Sequence, residues 1–90
     1  MKAINESFDD LEYDGFILIH MESRGTLKVW KKADNLSRFD HYFASIDSYS
    51  YGKHTEPEHS KEIIFAVVND FIDSHRVTQV ILQKNTIHTF

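Results

Sequence analysis

Histidine and carboxylate side chains are the first residues to examine for chemistry, because they can bind metal ions and transfer protons. The chain has 90 residues, with six histidines, 14 acidic residues and no cysteine. His54, His59 and Glu62 come closest to a metal-binding pattern, around the start of a predicted helix. A metal site on a helix needs convergent ligands from a second element, and no second element offers a partner pair. The sequence therefore predicts no metal site and no cofactor.

Nucleophilic catalysis has no recognisable motif in this chain. Serine and histidine are abundant, but there is no nucleophile elbow and no glycine-rich oxyanion turn. The chain has only three glycines, which leaves no phosphate-binding loop. Asp40 and His41 form an unremarkable acid–base pair, and a small α+β ribonuclease would need a basic surface that this acidic chain lacks. We predict a non-enzymatic protein, with a small metal-independent enzyme as an alternative.

Length and composition predict a single folded domain over residues 1–90. Hydrophobic residues make up 41% of the chain and charged residues 27%, as in ordinary globular proteins. The first residues lack the apolar segment of a signal peptide, and no apolar run approaches a membrane span. Together with the absence of cysteine, this predicts a cytoplasmic protein. The net charge of −4 argues against a strong general nucleic-acid binder.

The stretch from Thr55 to Lys84 predicts the main structural element, a long helix followed by a strand. Thr55 and Glu58 fit a capping box, and Pro57 suits the first helical turn. Apolar residues recur at helical spacing over one broad side: Ile63, Ile64, Phe65, Val67, Val68, Phe71 and Ile72. From Val77 onward, apolar and polar residues alternate as they do in a strand.

Two earlier stretches, 16–21 and 26–32, predict a β-hairpin. Ser23-Arg24-Gly25 fits a three-residue loop with glycine in the left-handed region. In the predicted register, Leu18 faces Trp30 across the two strands. One face of the hairpin is then wholly apolar, with Ile17, Ile19, Met21, Leu27 and Val29. The opposite face carries Phe16, Leu18, His20, Lys28, Trp30 and Lys32.

Residues 34–46 predict a second helix, capped by Asp34 or Asn35. Its apolar stripe consists of Leu36, Phe39, Tyr42, Phe43 and Ile46. A polar connection follows over residues 47–54. Its two tyrosines, Tyr49 and Tyr51, are candidate partner-binding residues; alternatively they cover the edge of the core with their hydroxyls in water.

The N-terminal segment, residues 1–12, is acidic. Ile4, Phe8 and Leu11 recur at helical spacing, which permits a short helix. The acidic patch of this region consists of Glu6, Asp9, Asp10, Glu12 and Asp14. These carboxylates are either an ordinary solvated surface or a phosphate-mimicking patch that occupies a nucleic-acid-binding site on another protein.

These elements predict an α+β fold in the order (α)ββααβ(β). A small antiparallel sheet contains the N-terminal hairpin and the C-terminal strand or strands, with two main helices packed on one face. Residues 86–90 form either a short final strand or a frayed tail. No motif identifies a family, so function has to be argued from the surface.

The sheet face away from the helices is the best candidate for function. A sheet covered on one side should be apolar on one face only, but Phe16, Leu18, Trp30 and Ile81 make a second apolar patch. Such a patch needs a cover: the N-terminal segment, a second copy of the chain or a partner protein. The predicted partner-binding residues are Phe16, Leu18, Lys28, Trp30, Tyr49, Tyr51 and Ile81.

The predicted function is that of a small non-catalytic protein-binding module. It could be an intracellular inhibitor, immunity protein or accessory protein that docks on a larger protein, as a monomer or as a homodimer. A compact acidic chain with a spare apolar face suits this role. An alternative is a single-stranded nucleic-acid-binding protein, in which bases stack on the aromatic residues of the sheet.

Overall fold

The computed structural model describes residues 4–84, which form a five-stranded sheet and two helices. The elements in chain order are α1 (Ile4–Asp9), β1 (Phe16–Met21), β2 (Gly25–Ala33), β3 (Asp40–Ile46), β4 (Tyr49–Tyr51), α2 (Pro57–Ser74) and β5 (Val77–Gln83). Neighbouring strands are all antiparallel, in the order β4-β3-β2-β1-β5. The predicted α+β class with an antiparallel sheet is therefore confirmed.

The chain builds the sheet from β1 to β4 as a meander of consecutive strands. Helix α2 then carries the chain from β4 at one edge to β5 at the opposite edge, packing mainly against β3 on the way. Ser60 fixes the start of the helix, because its buried hydroxyl accepts the N–H of Tyr42 at 3.0 Å. We call the sheet face under α2 the inner face and the opposite one the outer face.

The core lies between the inner face and the two helices. The strands contribute Ile17, Ile19, Met21, Leu27, Val29, Tyr42, Ala44 and Ile46, and α2 contributes Ile64 and Val68. The N-terminal segment joins this core through Phe8 and Leu11, which are 1% and 3% exposed. The Phe8 ring lies 6.0 Å from Tyr42 and 5.1 Å from Phe65, centroid to centroid. The short N-terminal helix is therefore present, but it covers the inner face and leaves the outer face open.

The predicted helix over residues 34–46 is wrong, because residues 40–46 form strand β3. Tyr42, Ala44 and Ile46 point inward and are buried, while His41, Phe43 and Ser45 alternate with them. Apolar residues at positions 42, 43 and 46 fit a helical stripe as well as a strand with one apolar residue on its far face. Strand β1 pairs with only one edge of β2. When residues 40–46 form a strand, they pair with the other edge and satisfy its backbone N–H and C=O groups, which favours the strand over the helix.

The predicted loop over residues 47–54 also contains a strand. Ile46 pairs with Tyr49, so Asp47 and Ser48 form a two-residue hairpin turn with Asp47 at φ 53°. Aspartate tolerates this left-handed conformation better than most residues. The two predicted main helices are therefore one main helix, α2, and an extra β-hairpin.

The first hairpin has a different register from the predicted one. Its loop is Glu22-Ser23-Arg24, and Met21 pairs with Gly25. Leu18 consequently pairs with Lys28 and not with Trp30. The pairing is shifted by two residues, and an even shift leaves every side chain on its predicted face.

Helix α2 begins at Pro57, but the predicted capping box is wrong. Glu56 is the N-cap residue and makes no side-chain capping hydrogen bond. The Thr55 hydroxyl instead donates to the carbonyl oxygen of Gly52 at 2.8 Å. Ile64 and Val68 are fully buried, whereas Ile63, also predicted to face inward, is 39% exposed. The C-terminal strand is present as β5, and the tail at 86–90 lies outside the described residues.

Candidate functional site

The outer face is the largest surface of the described sheet that no helix covers. Strand alternation places fourteen positions on it: Phe16, Leu18, His20, Thr26, Lys28, Trp30, Lys32, His41, Phe43, Ser45, Ser50, Gln79, Ile81 and Gln83. Its large apolar side chains, Phe16, Leu18, Trp30, Phe43 and Ile81, are half-buried by one another. A continuous apolar surface of this kind is the usual mark of an interaction site.

Three aromatic rings stand in a row across the middle of the outer face. The Trp30 and Phe43 rings lie 5.6 Å apart at an interplanar angle of 16°, and the His41 and Phe43 rings lie 4.5 Å apart at 8°. Neighbouring carbon atoms stay at least about 3.5 Å apart, so rings this close cannot lie side by side in one plane. The rings are therefore stacked with an offset, and part of each ring face is turned toward a neighbouring ring.

Lys28 occupies the remaining side of the row. Its ammonium lies 4.7 Å from the Phe16 ring centroid and 5.7 Å from that of Trp30. A cation is attracted to an aromatic face at such distances by the ring quadrupole. Contacts inside the protein thus engage at least one face of each of the Phe43, Trp30 and Phe16 rings.

Two shallow cavities border Trp30. One of about 200 Å³ is lined by Trp30, Lys32, Phe43, Ala44, Ser50, Tyr51 and Lys53. The other, of about 190 Å³, is lined by Asp14, Gly15, Phe16, Lys28, Trp30, Lys31 and Lys32. Sites for drug-sized ligands usually measure about 300–1,000 Å³. Each cavity therefore suits a single side chain better than a whole small molecule.

The charge of the outer face is opposite to that of the whole chain. None of its fourteen strand positions carries a carboxylate, although the net charge of the protein is −4. Among residues 4–84, no carboxylate lies within 4.0 Å of the ammonium of Lys28, Lys32 or Lys53. By contrast, Lys31 pairs with Asp40 at 3.5 Å. Asp14, at the rim of one cavity, is the acidic residue nearest this surface.

The predicted acidic patch is divided: Asp14 lines one of the cavities beside the outer face, and Asp9 lies on the helix side. Glu6, Asp9, Asp10, Glu12 and Asp14 are all exposed. Asp9 lies 3.6 Å from the ammonium of Lys61 on α2, which places it on the helix side of the molecule. The phosphate-mimicking role of these residues stays a prediction.

His41 links the outer face to the connection between β4 and α2. Its Nε2 lies 2.6 Å from the carbonyl oxygen of Gly52, and a carbonyl can only accept, so Nε2 carries the proton. Gly52 has φ 94°, and a Cβ there would collide with the carbonyl oxygen of Tyr42. The glycine thus permits the close approach that holds the His41 ring in the aromatic row.

A second polar cluster surrounds Asp40 at the start of β3. The Tyr13 hydroxyl donates to Asp40 at 2.6 Å, and Lys31 contacts the other carboxylate oxygen. The hydrogen bond to Asp40 raises the pKa of Tyr13, and burial raises that of Tyr42. Both phenols become weaker acids, the opposite of what a proton donor at neutral pH requires. The contacts account for this cluster as an attachment of the N-terminal segment to the sheet.

The structure brings most of the predicted partner-binding residues together. Phe16, Leu18, Lys28, Trp30 and Ile81 share the outer face as expected from strand alternation. The tyrosines of β4 do not share this face: Tyr49 pairs with inward-facing Ile46, and the Tyr51 ring packs edge-on against Phe71 of α2 at 6.2 Å. Tyr51 nevertheless lines the cavity of about 200 Å³ beside Trp30.

Sequence reasoning missed Phe43 and His41, the centre and one end of the aromatic row. The prediction of a helix over residues 34–46 ignores the way these two residues alternate with the buried Tyr42 and Ala44. That alternation, over residues 40–46, is the signal that could have found them.

In the described part of the chain, no three histidine or carboxylate side chains are grouped so that they could hold a metal ion. None of the helices described between residues 4 and 84 is long and apolar enough to cross a membrane. Comparison with protein families, with curated proteins and with solved structures finds no match to this chain.

Proposed function

We propose that this protein is a small non-catalytic protein-binding module that docks through its outer face on a partner protein. The observation that carries the proposal is the outer face, which neither helix of residues 4–84 covers and on which Phe16, Leu18, Trp30, Phe43 and Ile81 are only partly buried. Aromatic anchors at the centre of a patch with a polar rim are typical of protein interfaces. An inhibitor, immunity protein or accessory protein would work by such docking.

The orientation of the rings favours a protein over single-stranded nucleic acid. Bases bind to a sheet by stacking on exposed ring faces. Here Phe43 is stacked against both Trp30 and His41, and Lys28 lies over the rings of Phe16 and Trp30. These contacts compete with the ring faces that bases would need, and the aliphatic Leu18 and Ile81 beside them suit the side chains of another protein.

A partner protein is also favoured over a second copy of the chain. Two outer faces brought together would place Lys28 and Lys32 of each copy in one interface. The strand positions of the outer face carry no carboxylate to balance them, and Asp14 is the one acidic residue in the lining of the two cavities. Like charges that are desolvated together cost several kcal/mol, roughly the size of the apolar gain from such a patch.

The test compares Trp30→Lys with a matched control, Ile63→Lys. Ile63 is 39% exposed on α2, so the same type of change is made away from the outer face. Partner proteins are captured from the native host with the wild type and identified by mass spectrometry, and the affinity of a purified partner is then measured for each variant. We expect both variants to fold, and only Trp30→Lys to lose binding by at least about 100-fold, as at an interface hot spot.

Three results would contradict the proposal. One is equal partner affinity of the wild type and Trp30→Lys. Another is a Trp30→Lys protein that unfolds, which would place Trp30 in the core. The third is tight binding of an oligothymidylate that is lost with Trp30→Lys, which would assign the face to single-stranded nucleic acid.

A further inference from the structure

We infer that the partner presents an acidic segment with two large apolar side chains, which enter the two cavities beside Trp30. This inference rests on the proposed docking role of the outer face and names the chemistry of what docks there. It is carried by two independent features of that face: the size of the cavities, and the lysines around them, which have no carboxylate within 4.0 Å among residues 4–84.

The cavities determine the apolar part of the partner. Trp30 forms a wall of both, with Phe43 in the cavity of about 200 Å³ and Phe16 in that of about 190 Å³. Each is smaller than a small-molecule site yet holds several water volumes of about 30 Å³. A leucine, phenylalanine or tryptophan side chain fills such a space, and burying it would contribute most of the affinity. Two neighbouring cavities call for two such side chains on one segment.

The lysines determine the charge of the partner. Lys32 borders both cavities, Lys53 borders one and Lys28 the other. Within residues 4–84, no carboxylate lies within 4.0 Å of these ammonium groups, although the chain has more acidic than basic residues. Asp14 lines the same cavity as Lys28 and Lys32, so one acidic residue stands against three lysines around the two cavities. Carboxylates next to the apolar side chains of a partner would pair with these ammonium groups at the rim. Such pairs contribute mainly specificity and association rate, and a basic segment would be repelled.

The α1 region of a second copy is a poor substitute for such a segment. It has carboxylates, but its apolar residues Phe8 and Leu11 are 1% and 3% exposed and already belong to the core. A head-to-tail contact of this kind would also continue from copy to copy into a ring or an open filament. A separate acidic protein segment meets both requirements.

A random-peptide phage display against the immobilised full chain tests the inference. We expect selected peptides to contain aspartate or glutamate beside leucine, phenylalanine or tryptophan. Synthetic versions should bind the Lys32→Glu/Lys53→Glu variant at least about tenfold more weakly, because like charges then face each other. The control is Lys61→Glu/Arg76→Glu, which changes the net charge equally at positions on α2 and just after it. The control should bind as the wild type does, and binding to the wild type should weaken as salt is raised.

The charge-reversed variant provides a second selection. If the lysines decide the charge of the partner, Lys32→Glu/Lys53→Glu should select basic peptides with the same kind of apolar residues. Circular dichroism should show that both double variants fold, since all four positions are on the surface.

The outcomes separate this inference from the proposed function. Peptides that need Trp30 but are neutral or basic would overturn the acidic segment and leave docking at the outer face standing. Peptides that bind Trp30→Lys as well as the wild type would overturn both. A selection that enriches no peptide would overturn the inference alone, because a folded partner surface could still bind in the capture experiment.

Discussion

At the scale of single residues, Tyr42 is both packed in the core and close to the carboxylate of Asp40. Its ring is buried beside Phe8, and its backbone N–H is bound by Ser60. Burial raises the pKa of Tyr42, and the nearby carboxylate of Asp40 adds to the effect. Both act in the same direction, because an ionised phenol would be poorly solvated and close to another negative charge.

Stability should therefore fall as the solution becomes alkaline. The unfolded chain loses the tyrosine proton near pH 10, while the folded chain holds it more tightly. The contribution of Tyr42 is thus complete below about pH 10 and is lost as the pH rises through the higher folded pKa. We expect Tyr42→Phe to lose less stability than the wild type between about pH 9 and 11. Urea unfolding at several pH values measures this.

The control for this prediction is Tyr49→Phe. Tyr49 is 62% exposed on β4, so its removal tests the general effect of losing one phenol. The free energy of unfolding of Tyr49→Phe should fall with rising pH as that of the wild type does. Parallel declines for Tyr42→Phe and the wild type would mean that burial of Tyr42 does not contribute to alkaline unfolding.

At the scale of elements, α2 is anchored by one fully buried residue in each turn. These residues are Ser60, Ile64 and Val68, spaced by four. Such spacing puts them on the same side of the helix. Phe65, Phe71 and Ile72 are partly buried beside this line, so most of the broad apolar arc of the sequence is used in packing.

Two adjacent isoleucines test this position of the helix. Ile64 is fully buried and Ile63 is 39% exposed. We expect Ile64→Ala to lower the free energy of unfolding by about 2–5 kcal/mol, because it leaves a cavity under the helix. Ile63→Ala should cost about 1 kcal/mol or less. Chemical denaturation measures both, and equal losses would show that α2 is rotated from the position described.

At the scale of the whole molecule, charge is divided between two sides. The outer face has Lys28 and Lys32 and no strand carboxylate, while α1 and α2 expose Glu6, Asp9, Glu58 and Glu62 on the other side. The net charge of −4 conceals this division. A small acidic protein can therefore present a basic, apolar surface to an acidic partner.

This division predicts that the isolated chain is a monomer. Face-to-face association would bring the lysines of two outer faces together without compensating carboxylates. We expect sedimentation to give the mass of one chain at micromolar concentration and low salt. A dimer that Trp30→Lys dissociates and Ile63→Lys preserves would show instead that a second copy occupies the outer face.

The sequence by itself determined which side chains share a face in β1, β2 and β5. Alternation is a local property with a period of two residues, so it can be read without knowing what each strand pairs with. This is why the sequence alone predicts one shared sheet face for five residues: Phe16, Leu18, Lys28, Trp30 and Ile81. A wrong hairpin register did not change the assignment, because the error was two residues.

Only the tertiary structure decided what residues 34–54 become and what completes the outer face. The apolar residues 42, 43 and 46 suit either period, and the choice depends on β2, which needs a partner for its second edge. Pairing with β2 brings Phe43 against Trp30, which is distant from it in sequence. The contact of His41 with Phe43 depends on the strand as well, because only a strand places residues two apart on the same face. The N-terminal segment was likewise undecided, since Phe8 has a place only after α2 and β3 have come together. Local alternation therefore determined which side chains share a sheet face. Long-range pairing determined which of the two sheet faces the helices of residues 4–84 cover.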